Sequence, residues 1–315
     1  MSGPDERPAF ARGESIFVPL QLESAPLQPD PEWAWGGSTG KDMRVAVLDS
    51  GIEADHPALD GCIDASDGVA LAIDREGAVA ETHGPHTDAF GHGTACATII
   101  HRIAPEARIT SVKVLGATLG GKAAVFLHGL AWAVERGFDV INLSLGTGKR
   151  DWALPFHELC DRAYFRGSFV VTAANNIAAA SFPSLYSSVT SVAASVARDP
   201  FEFHANPTPP TEFLAPGIDV EVGWRGGGSR HVTGNSYAAP HIAGVAALIR
   251  SKHPELRPFQ LKSALWATAA NVRGGAPADA GSPLGEAPLA SARTSSAIHA
   301  IHFDLPPAPP PADQS

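Results

Sequence analysis

The chain has 315 residues, of which 44% are hydrophobic and 18% are charged, so it is long enough to bury a substantial core in one large domain. Its formal net charge of -10 offers no positive field to a phosphate backbone or an anionic membrane, and we therefore expect neither nucleic acid nor a membrane as partner. Three widely spaced cysteines match neither a disulfide framework nor a zinc site, so they are interpreted as thiols.

The first 40 residues contain six prolines, which lack an N–H and have a fixed φ. They predict an extended N-terminal arm over residues 1–40, followed by a folded domain over residues 41–273. The opening residues have no apolar run of signal-peptide length, and no later stretch approaches the roughly 20 apolar residues that span a bilayer. We therefore expect a cytoplasmic protein.

From Lys41 onward, short β-branched runs alternate with amphipathic stretches of helical length. Strands are predicted over 44–48, 108–115, 139–144 and 168–173. The predicted face of the first helix consists of Ala123, Leu127, Leu130, Ala131 and Val134, and that of the next consists of Trp152, Phe156, Leu159 and Ala163. This alternation predicts an α/β three-layer sandwich, with a mostly parallel central sheet and helices on both faces.

The alanine-rich stretch Tyr237 to Lys252 predicts a buried helix, with Pro240 in its first turn, where proline is tolerated. After residue 273 the composition shifts to alanine, proline, glycine and serine. Residues 274–315 are therefore predicted to be a C-terminal extension, partly disordered, that cannot fold by itself.

Three motifs lie where strands end and helices begin. Asp49 follows the first strand, His92 precedes a helical stretch, and Ser236 stands at the head of the buried helix. In a doubly wound sheet such positions gather along one edge. Taken singly, Asp49 and Ser236 fit helix or turn caps, and His92 fits a core histidine. Together they suit acyl transfer, because histidine activates serine and a carboxylate orients the imidazole.

The order Asp, His, Ser and the flanking residues resemble the subtilase family from Lys41 to about Val272. The matching segments are Val45 to Gly51, His56-Pro57, His92 to Thr94, Ile141 to Gly146, Val170 to Asn176, Ala215 to Gly217 and Gly234 to Pro240. The resemblance implies that Ser236 is the nucleophile, His92 the general base and then acid, and Asp49 the group that orients it. Asn176 and the backbone N–H of Ser236 would form the oxyanion hole.

The resemblance also implies how a peptide binds, as an added strand between two edges. Ser144, Leu145 and Gly146 match one edge, and Thr118 to Gly121, including Gly120 and Gly121, match the other. The expected function is a serine endopeptidase that acts on peptides or proteins without a cofactor, in a processing role. Two alternatives stay open: a peptide ligase or macrocyclase that uses the same acyl-enzyme, and a peptide-binding homologue without catalysis.

The chain departs from the family pattern near the nucleophile. Asn235 stands where the family commonly has threonine, and Tyr237 stands where methionine is frequent. Asn175 replaces a glycine of the family; if φ is positive there, asparagine is one of the few other residues that tolerate it. The calcium-binding loop of relatives is missing, so no metal is expected. Two interpretations of His83, His86 and Asp88 stay open: they bind a metal ion together near His92, or they belong to an ordinary surface loop.

Two further features come from the resemblance. Cys96 follows His92 by one helical turn and matches a cysteine of the thiol-containing branch of the family, which predicts inhibition by mercurials. The apolar segment Ser15 to Leu22 resembles the arms of intracellular subtilases. It is expected either to pack on the domain surface or to inhibit the enzyme by lying in the substrate cleft.

Overall fold

The computed structural model describes residues 29–177 and 179–273, in which the strands form a nine-stranded sheet and a two-stranded hairpin. The strands are β1 (Arg44–Asp49), β2 (Val69–Ile73), β3 (Val79–His83), β4 (Arg108–Lys113), β5 (Val140–Leu143), β6 (Phe169–Ala173), β7 (Thr190–Ser195), β8 (His204–Ala205), β9 (Phe213–Pro216), β10 (Val220–Trp224) and β11 (Gly228–Val232). The helices are α1 (Pro31–Trp35), α2 (His92–Ile103), α3 (Ala123–Glu135), α4 (Ala153–Arg166), α5 (Asn235–Lys252), α6 (Pro258–Thr268) and α7 (Ala270–Arg273).

The strand order in the large sheet is β3-β2-β4-β1-β5-β6-β7-β9-β8. All neighbours from β2 to β9 run parallel, and the edge strands β3 and β8 are antiparallel. The chain extends the sheet from β1 through β4 to β2 on one side, and only later adds β5 on the other side. The strand order therefore reverses at β1, and ligands in such sheets bind beyond the carboxyl ends of the strands at this point.

Helices cover both faces of the sheet. Val45 and Val47 of β1 belong to the core beneath α2 and α5, whereas Ala46 and Leu48 belong to the core beneath α3 and α4. Strands with two apolar faces are expected where helices cover both sides of a parallel sheet. The predicted three-layer α/β fold is confirmed, and β1, β4, β5 and β6 coincide with the four predicted strands.

The predicted face of α3 is partly wrong. Leu130 and Val134 are buried as expected, but Ala123, Leu127 and Ala131 are only half-buried. The fully buried side chains are instead Val125, Phe126, Leu130, Trp132, Ala133 and Val134. The reason is that α3 packs against α4 as well as the sheet, with the ring centroids of Phe126 and Phe156 at 4.6 Å. In α4, Phe156, Leu159 and Ala163 are buried as predicted, whereas Trp152 ends a separate 3-10 turn.

The prediction that residues 1–40 form an extended arm is wrong within the part that the structure describes, residues 29–40. Residues 31–35 form α1, because Pro31 occupies the first helical position and Asp30 accepts a hydrogen bond from the Trp33 N–H at 2.7 Å. Helix α1 is fastened to the domain: Trp33 stacks on His253 at 4.2 Å between ring centroids, and His253 Nε2 bonds to the Trp33 carbonyl. The predicted inhibitory segment 15–22 and the C-terminal extension 274–315 lie outside the described residues.

None of the helices in residues 29–177 and 179–273 is both long enough and apolar enough to cross a bilayer.

Candidate active site

The ends of one strand and the starts of two helices bring Asp49, His92 and Ser236 together. Asp49 is the last residue of β1, His92 is the first of α2, and Ser236 is the second of α5. Both helices pack on the same face of the sheet beside β1. Gly93 permits this approach, because a Cβ there would overlap the carbonyl oxygen of Gly51 and lie 3.0 Å from the Asp49 Cβ.

The imidazole of His92 bridges the other two side chains. Its Nδ1 lies 2.9 and 2.8 Å from the two carboxylate oxygens of Asp49, and its Nε2 lies 2.9 Å from the Ser236 Oγ. Asp49 is 1% exposed, His92 is 5% exposed and Ser236 is half-buried. Because an ionised carboxylate only accepts hydrogen bonds, Nδ1 carries the proton and Nε2 accepts from the serine hydroxyl.

The electrostatics of the pair favour protonation of His92. Burial by itself would lower the pKa of His92, but the adjacent Asp49 carboxylate outweighs it and raises that pKa well above its ordinary value. A charged imidazole is thus stabilised where it lies, although it has to leave water. The neutral imidazole can therefore take a proton from Ser236, and the charged ring that results holds it until a leaving group accepts it.

Asp88 fastens the start of α2 to the turn after β1. This buried carboxylate accepts five hydrogen bonds, among them the Ser50 hydroxyl and the Gly91 N–H at 2.7 Å, and the N–H and hydroxyl of Thr94 at 2.9 and 2.7 Å. Burial would raise the pKa of Asp88, but these bonds outweigh it and keep the pKa below its usual value. The ionised side chain thereby caps the helix that carries His92.

The carbonyl of Ser236 is held from outside its own helix. Pro240 has no N–H to bond this carbonyl four residues back, so the usual helical hydrogen bond is missing. The Ser144 hydroxyl donates to it instead at 2.9 Å, and the Cys96 Sγ lies 3.6 Å away. Since α5 begins at Asn235, Pro240 lies in the second turn, not in the predicted first turn.

Asn176 and Asn235 join the loop after β6 to the start of α5. The Oδ1 of Asn176 accepts from the Asn235 N–H at 3.0 Å, which leaves the Nδ2 of Asn176 without an acceptor in the part of the chain that is described. The Asn235 side chain donates to the carbonyls of Ala174 and Asn175 at 3.2 and 3.1 Å and accepts from the Ala194 N–H at 2.9 Å. Two amide donors, Asn176 Nδ2 and the N–H of Ser236 in the first turn of α5, are thus available for an anion.

Asn175 does not need the glycine-like backbone that was considered for it. Positive φ among described residues other than glycine occurs at Asp42, Asp60, Leu119 and Asp219, and Asn175 is not among them. Its side chain instead closes the loop, because Nδ2 donates to the Ala179 carbonyl at 3.1 Å and Oδ1 accepts from the Ile177 N–H at 3.3 Å.

The two predicted substrate edges line one cavity. Gly120 and Gly121 on one side and Leu145 and Gly146 on the other border a space of about 290 Å³, while the Ser144 side chain points toward Ser236. Gly121 is required for a reason that the sequence did not show: a Cβ there would lie 2.9 Å from the backbone carbonyl oxygen of Val114. A second, larger cavity of about 730 Å³ lies on the His92 side, next to Asp88.

Comparison with known proteins assigns the family. The subtilase family profile of peptidases matches residues 40–286, which is more than half of the chain. The chain belongs to the subtilase family. The resemblance to this family that was inferred from the motifs is thereby confirmed.

Curated relatives are subtilisins from several bacilli. The subtilase is 32% identical to subtilisin E of Bacillus subtilis (strain 168) over 250 residues, which are 74% of this chain and 62% of that protein. It is 33% identical to subtilisin Savinase of Lederbergia lenta over 248 residues, which are 75% of this chain and 86% of that protein. The matched region thus spans about three fifths of some relatives and most of others.

Solved structures show the same fold. A cold-adapted subtilisin-like serine proteinase aligns with a TM-score of 0.60 at 23% identity, covering 75% of this chain and 87% of its own. A lanthipeptide protease aligns with a TM-score of 0.60 at 24% identity, covering 72% and 79%. At this identity the two alignments support the fold of the subtilase.

The suggested metal cluster around His83 is not assembled. His86 is bonded to the Ser111 hydroxyl and the Gly84 carbonyl, His83 lies beside Glu81, and Asp88 caps α2. Over the described ranges, the only group of potential ligands at metal-binding spacing is Asp49, His92 and Cys96, which is the triad itself with the thiol beside it. The prediction that this subtilase needs no metal stays a prediction.

Sequence reasoning missed three supporting side chains of the subtilase. Asp88 was interpreted as part of a surface loop, Ser144 as an edge residue only, and Asn235 as a replacement that keeps the turn before the nucleophile but alters the shape of the leaving-group side. A signal existed for two of them: a carboxylate four residues before His92 suits a helix cap, and a proline four residues after Ser236 leaves a carbonyl that needs another donor. The partners of Asn235 come from the loop after β6 and from β7, and they have no local sequence signal.

Proposed function

We propose that this subtilase is a serine endopeptidase that hydrolyses peptide bonds through an acyl-enzyme on Ser236. The observation that carries the proposal is the bridging position of His92, within 2.9 Å of both Asp49 and the Ser236 Oγ. A serine hydroxyl becomes a competent nucleophile when a base accepts its proton at hydrogen-bond distance.

The first half of the proposed reaction forms the acyl-enzyme. Ser236 Oγ bonds to the carbonyl carbon of the peptide while its proton passes to His92 Nε2, and the carbonyl oxygen becomes an oxyanion. Asn176 Nδ2 and the Ser236 N–H donate to this oxyanion. The carbon–nitrogen bond then breaks, His92 returns the proton to the departing amine, and the ester on Ser236 remains.

The second half uses water in place of the serine. Water loses a proton to His92, its oxygen attacks the ester carbonyl, and collapse of the second oxyanion releases the acid product and returns the proton to Ser236 Oγ. Throughout, Asp49 holds the Nδ1 side of the imidazole and stabilises its positive charge. An amine in place of water would give a ligated or cyclised peptide by the same steps.

Substitution of the nucleophile tests this proposal. Ser236→Ala should abolish peptide cleavage and labelling by a fluorophosphonate, whereas Ser187→Ala, at an exposed serine, should leave both unchanged. Asn176→Ala should still be labelled but should lose roughly 10² to 10³ in kcat, because one oxyanion donor is removed. Cleavage by Ser236→Ala at the wild-type rate would refute the mechanism.

The masses of the reaction products distinguish hydrolysis from ligation and from peptide binding without catalysis. Two new termini with the mass of one added water indicate hydrolysis, and a joined or cyclic product without added water indicates ligation. Neither product, together with no fluorophosphonate labelling, would indicate a peptide-binding homologue.

We also propose a processing role in the cytoplasm. All three cysteines lie in the described residues as thiols, which suits a reducing compartment, and a protease of similar fold is named for a peptide class, the lanthipeptides. Cell fractionation with an antibody tests the location, and recovery of the protein only outside the cell would contradict it.

Inhibition by the N-terminal arm is a separate proposal, prompted by the apolar sequence Ser15 to Leu22 and its central Pro19. Proline lacks an N–H and restricts Val18 to extended conformations, which would hinder cleavage of a segment bound in the cleft. A chain shortened to begin at Gln28 should then cleave peptides faster than the full chain. Equal rates of two folded proteins would contradict inhibition.

A further inference from the structure

The cavity between the predicted substrate edges combines an apolar floor with a positively charged rim. Its volume is about 290 Å³. Leu115, Phe126 and Leu145 supply apolar walls, and the exposed residues Lys122 and Lys149 lie at its border. A substrate side chain that fills this space would need methylene groups inside and a negative charge at the end.

The two lysines have no acidic partner in the part of the chain that the structure describes. Their charge is therefore not offset by a carboxylate, in contrast to that of Lys262, which pairs with Glu212 at 2.8 Å. Lys122 is also the N-cap residue of the 13-residue helix α3, whose first turn contains no acidic residue. The helix dipole therefore adds to the positive potential of the rim instead of offsetting it.

The direction of the proposed reaction indicates which part of a substrate lies there. His92 protonates the departing amine, so the residues after the scissile bond leave on the His92 side. The cavity of about 730 Å³ borders Asp88, which caps the helix that begins at His92, and is also lined by Glu53, Asp55 and Arg225. The smaller cavity beside Leu145 therefore receives a residue that precedes the scissile bond.

We infer that this cavity selects an acidic side chain, glutamate above all, in the part of the substrate that precedes the scissile bond. The inference rests on the proposed peptidase function and names its substrate class. Glutamate has two methylene groups for the apolar walls and a carboxylate that reaches Lys122 and Lys149. Charge complementarity of this kind adds specificity and speeds encounter more than it adds raw affinity.

A peptide-library digest read by mass spectrometry tests the inference on the full chain. For the wild type, Glu should be enriched over Lys by about tenfold at one position before the cleaved bond, since each exposed ion pair contributes a few tenths to 1 kcal/mol and like charges repel. The double variant Lys122→Glu with Lys149→Glu should reverse this preference at the same position. Raising the salt from 0.1 to 1 M, where the Debye length falls from about 10 to about 3 Å, should weaken the wild-type preference.

A matched control separates the local effect from the change in net charge. Lys41→Glu with Arg108→Glu changes the net charge equally at the opposite, amino-terminal edge of the sheet, and it should leave the preference unchanged. Cleavage by the wild type without enrichment of Glu, or with preference for Leu there, would overturn the inference alone. An absence of cleavage by the wild type would overturn the proposed function and the inference with it.

Discussion

The starts of helices α2 and α5 each carry a proposed catalytic residue, but different chemistry holds them. At α2 the buried, ionised Asp88 accepts five hydrogen bonds. At the start of α5, the neutral side chains of Asn235 and Ser144 instead form hydrogen bonds to backbone carbonyls. The difference follows the charge of the reaction: a positive imidazole develops beside α2, where carboxylates are favourable, and a negative oxyanion develops beside α5, where a carboxylate would repel it.

The largest effect is expected when the Asp88 carboxylate, which caps α2, is replaced by an amide. Asp88→Asn should lower the free energy of unfolding by about 3 kcal/mol, because an amide cannot accept five bonds and would direct its own N–H groups at donors. Urea denaturation measures this loss. Asp42→Asn, at an exposed position with φ of 66° that asparagine tolerates, is the control and should change stability little. A loss below about 1 kcal/mol for Asp88→Asn would show that the carboxylate is not needed there.

The next largest effect should come from a charge placed beside α5. Asn235→Asp should lower kcat by about 100-fold while changing KM much less, because the carboxylate faces the carbonyls of Ala174 and Asn175 and opposes the oxyanion. Steady-state kinetics on one peptide substrate separate the two constants. Asn206→Asp is the matched control, since Asn206 also donates to two carbonyls in a turn outside the site. An unchanged kcat would restrict Asn235 to a structural role.

The same two helices each contain a buried histidine, and the two histidines affect the pH dependence of stability differently. His92 of α2 has a carboxylate partner, but His241 of α5 is buried with only the Pro200 carbonyl as partner, at 3.2 Å, and burial lowers the pKa of His241 to about 4. The unfolded chain therefore binds this proton near pH 6.5 and the folded chain only near pH 4, so stability falls as pH falls through this window.

Between pH 7 and pH 5 the contribution of His241 to this loss is about 2 kcal/mol. His241→Gln should remove that pH dependence from urea denaturation curves, and His157→Gln, at an exposed histidine, should retain it. Equal pH dependence in wild type and His241→Gln would contradict the assignment.

The smallest intrinsic effect is expected at the thiol between the two helix starts. Cys96 Sγ lies 3.8 Å from His92 Nδ1 and 3.6 Å from the Ser236 carbonyl, and burial raises the pKa of this thiol, which keeps it neutral. Cys96→Ala should therefore change kcat/KM only a few-fold, because a neutral S–H is a weak hydrogen-bond partner. Mercurials should inhibit the wild type by displacing His92, and Cys96→Ala should resist them. Undiminished inhibition of Cys96→Ala would transfer the effect to Cys62 or Cys160.

Much of the fold could be predicted from periodicity. The strands β1, β5 and β6 are near-continuous apolar runs, β4 is rich in β-branched residues, and α5 is an apolar stretch too long for a buried strand. Seven strands were not predicted: β2 is an apolar run of only five residues, and β3 and β7 to β11, which include the hairpin, either mix polar with apolar residues or have four residues or fewer. Helix α1 was misread because proline was taken as a helix breaker, although at the first helical position its missing N–H costs nothing.

The sequence by itself determined the family, the fold class and the order of Asp49, His92 and Ser236, because each depends on local residue types at strand ends and helix starts. Only the tertiary structure decided which side chains support them. Asp88, Ser144 and Asn235 bond to groups that are up to 92 residues away in sequence, and these contacts depend on how α2 and α5 pack over β1. The tertiary structure also decided which residues line the cavity between the predicted substrate edges. Lys122 and Lys149 belong to different elements, and both border this cavity only because α3 and the loop after β5 lie on either side of it.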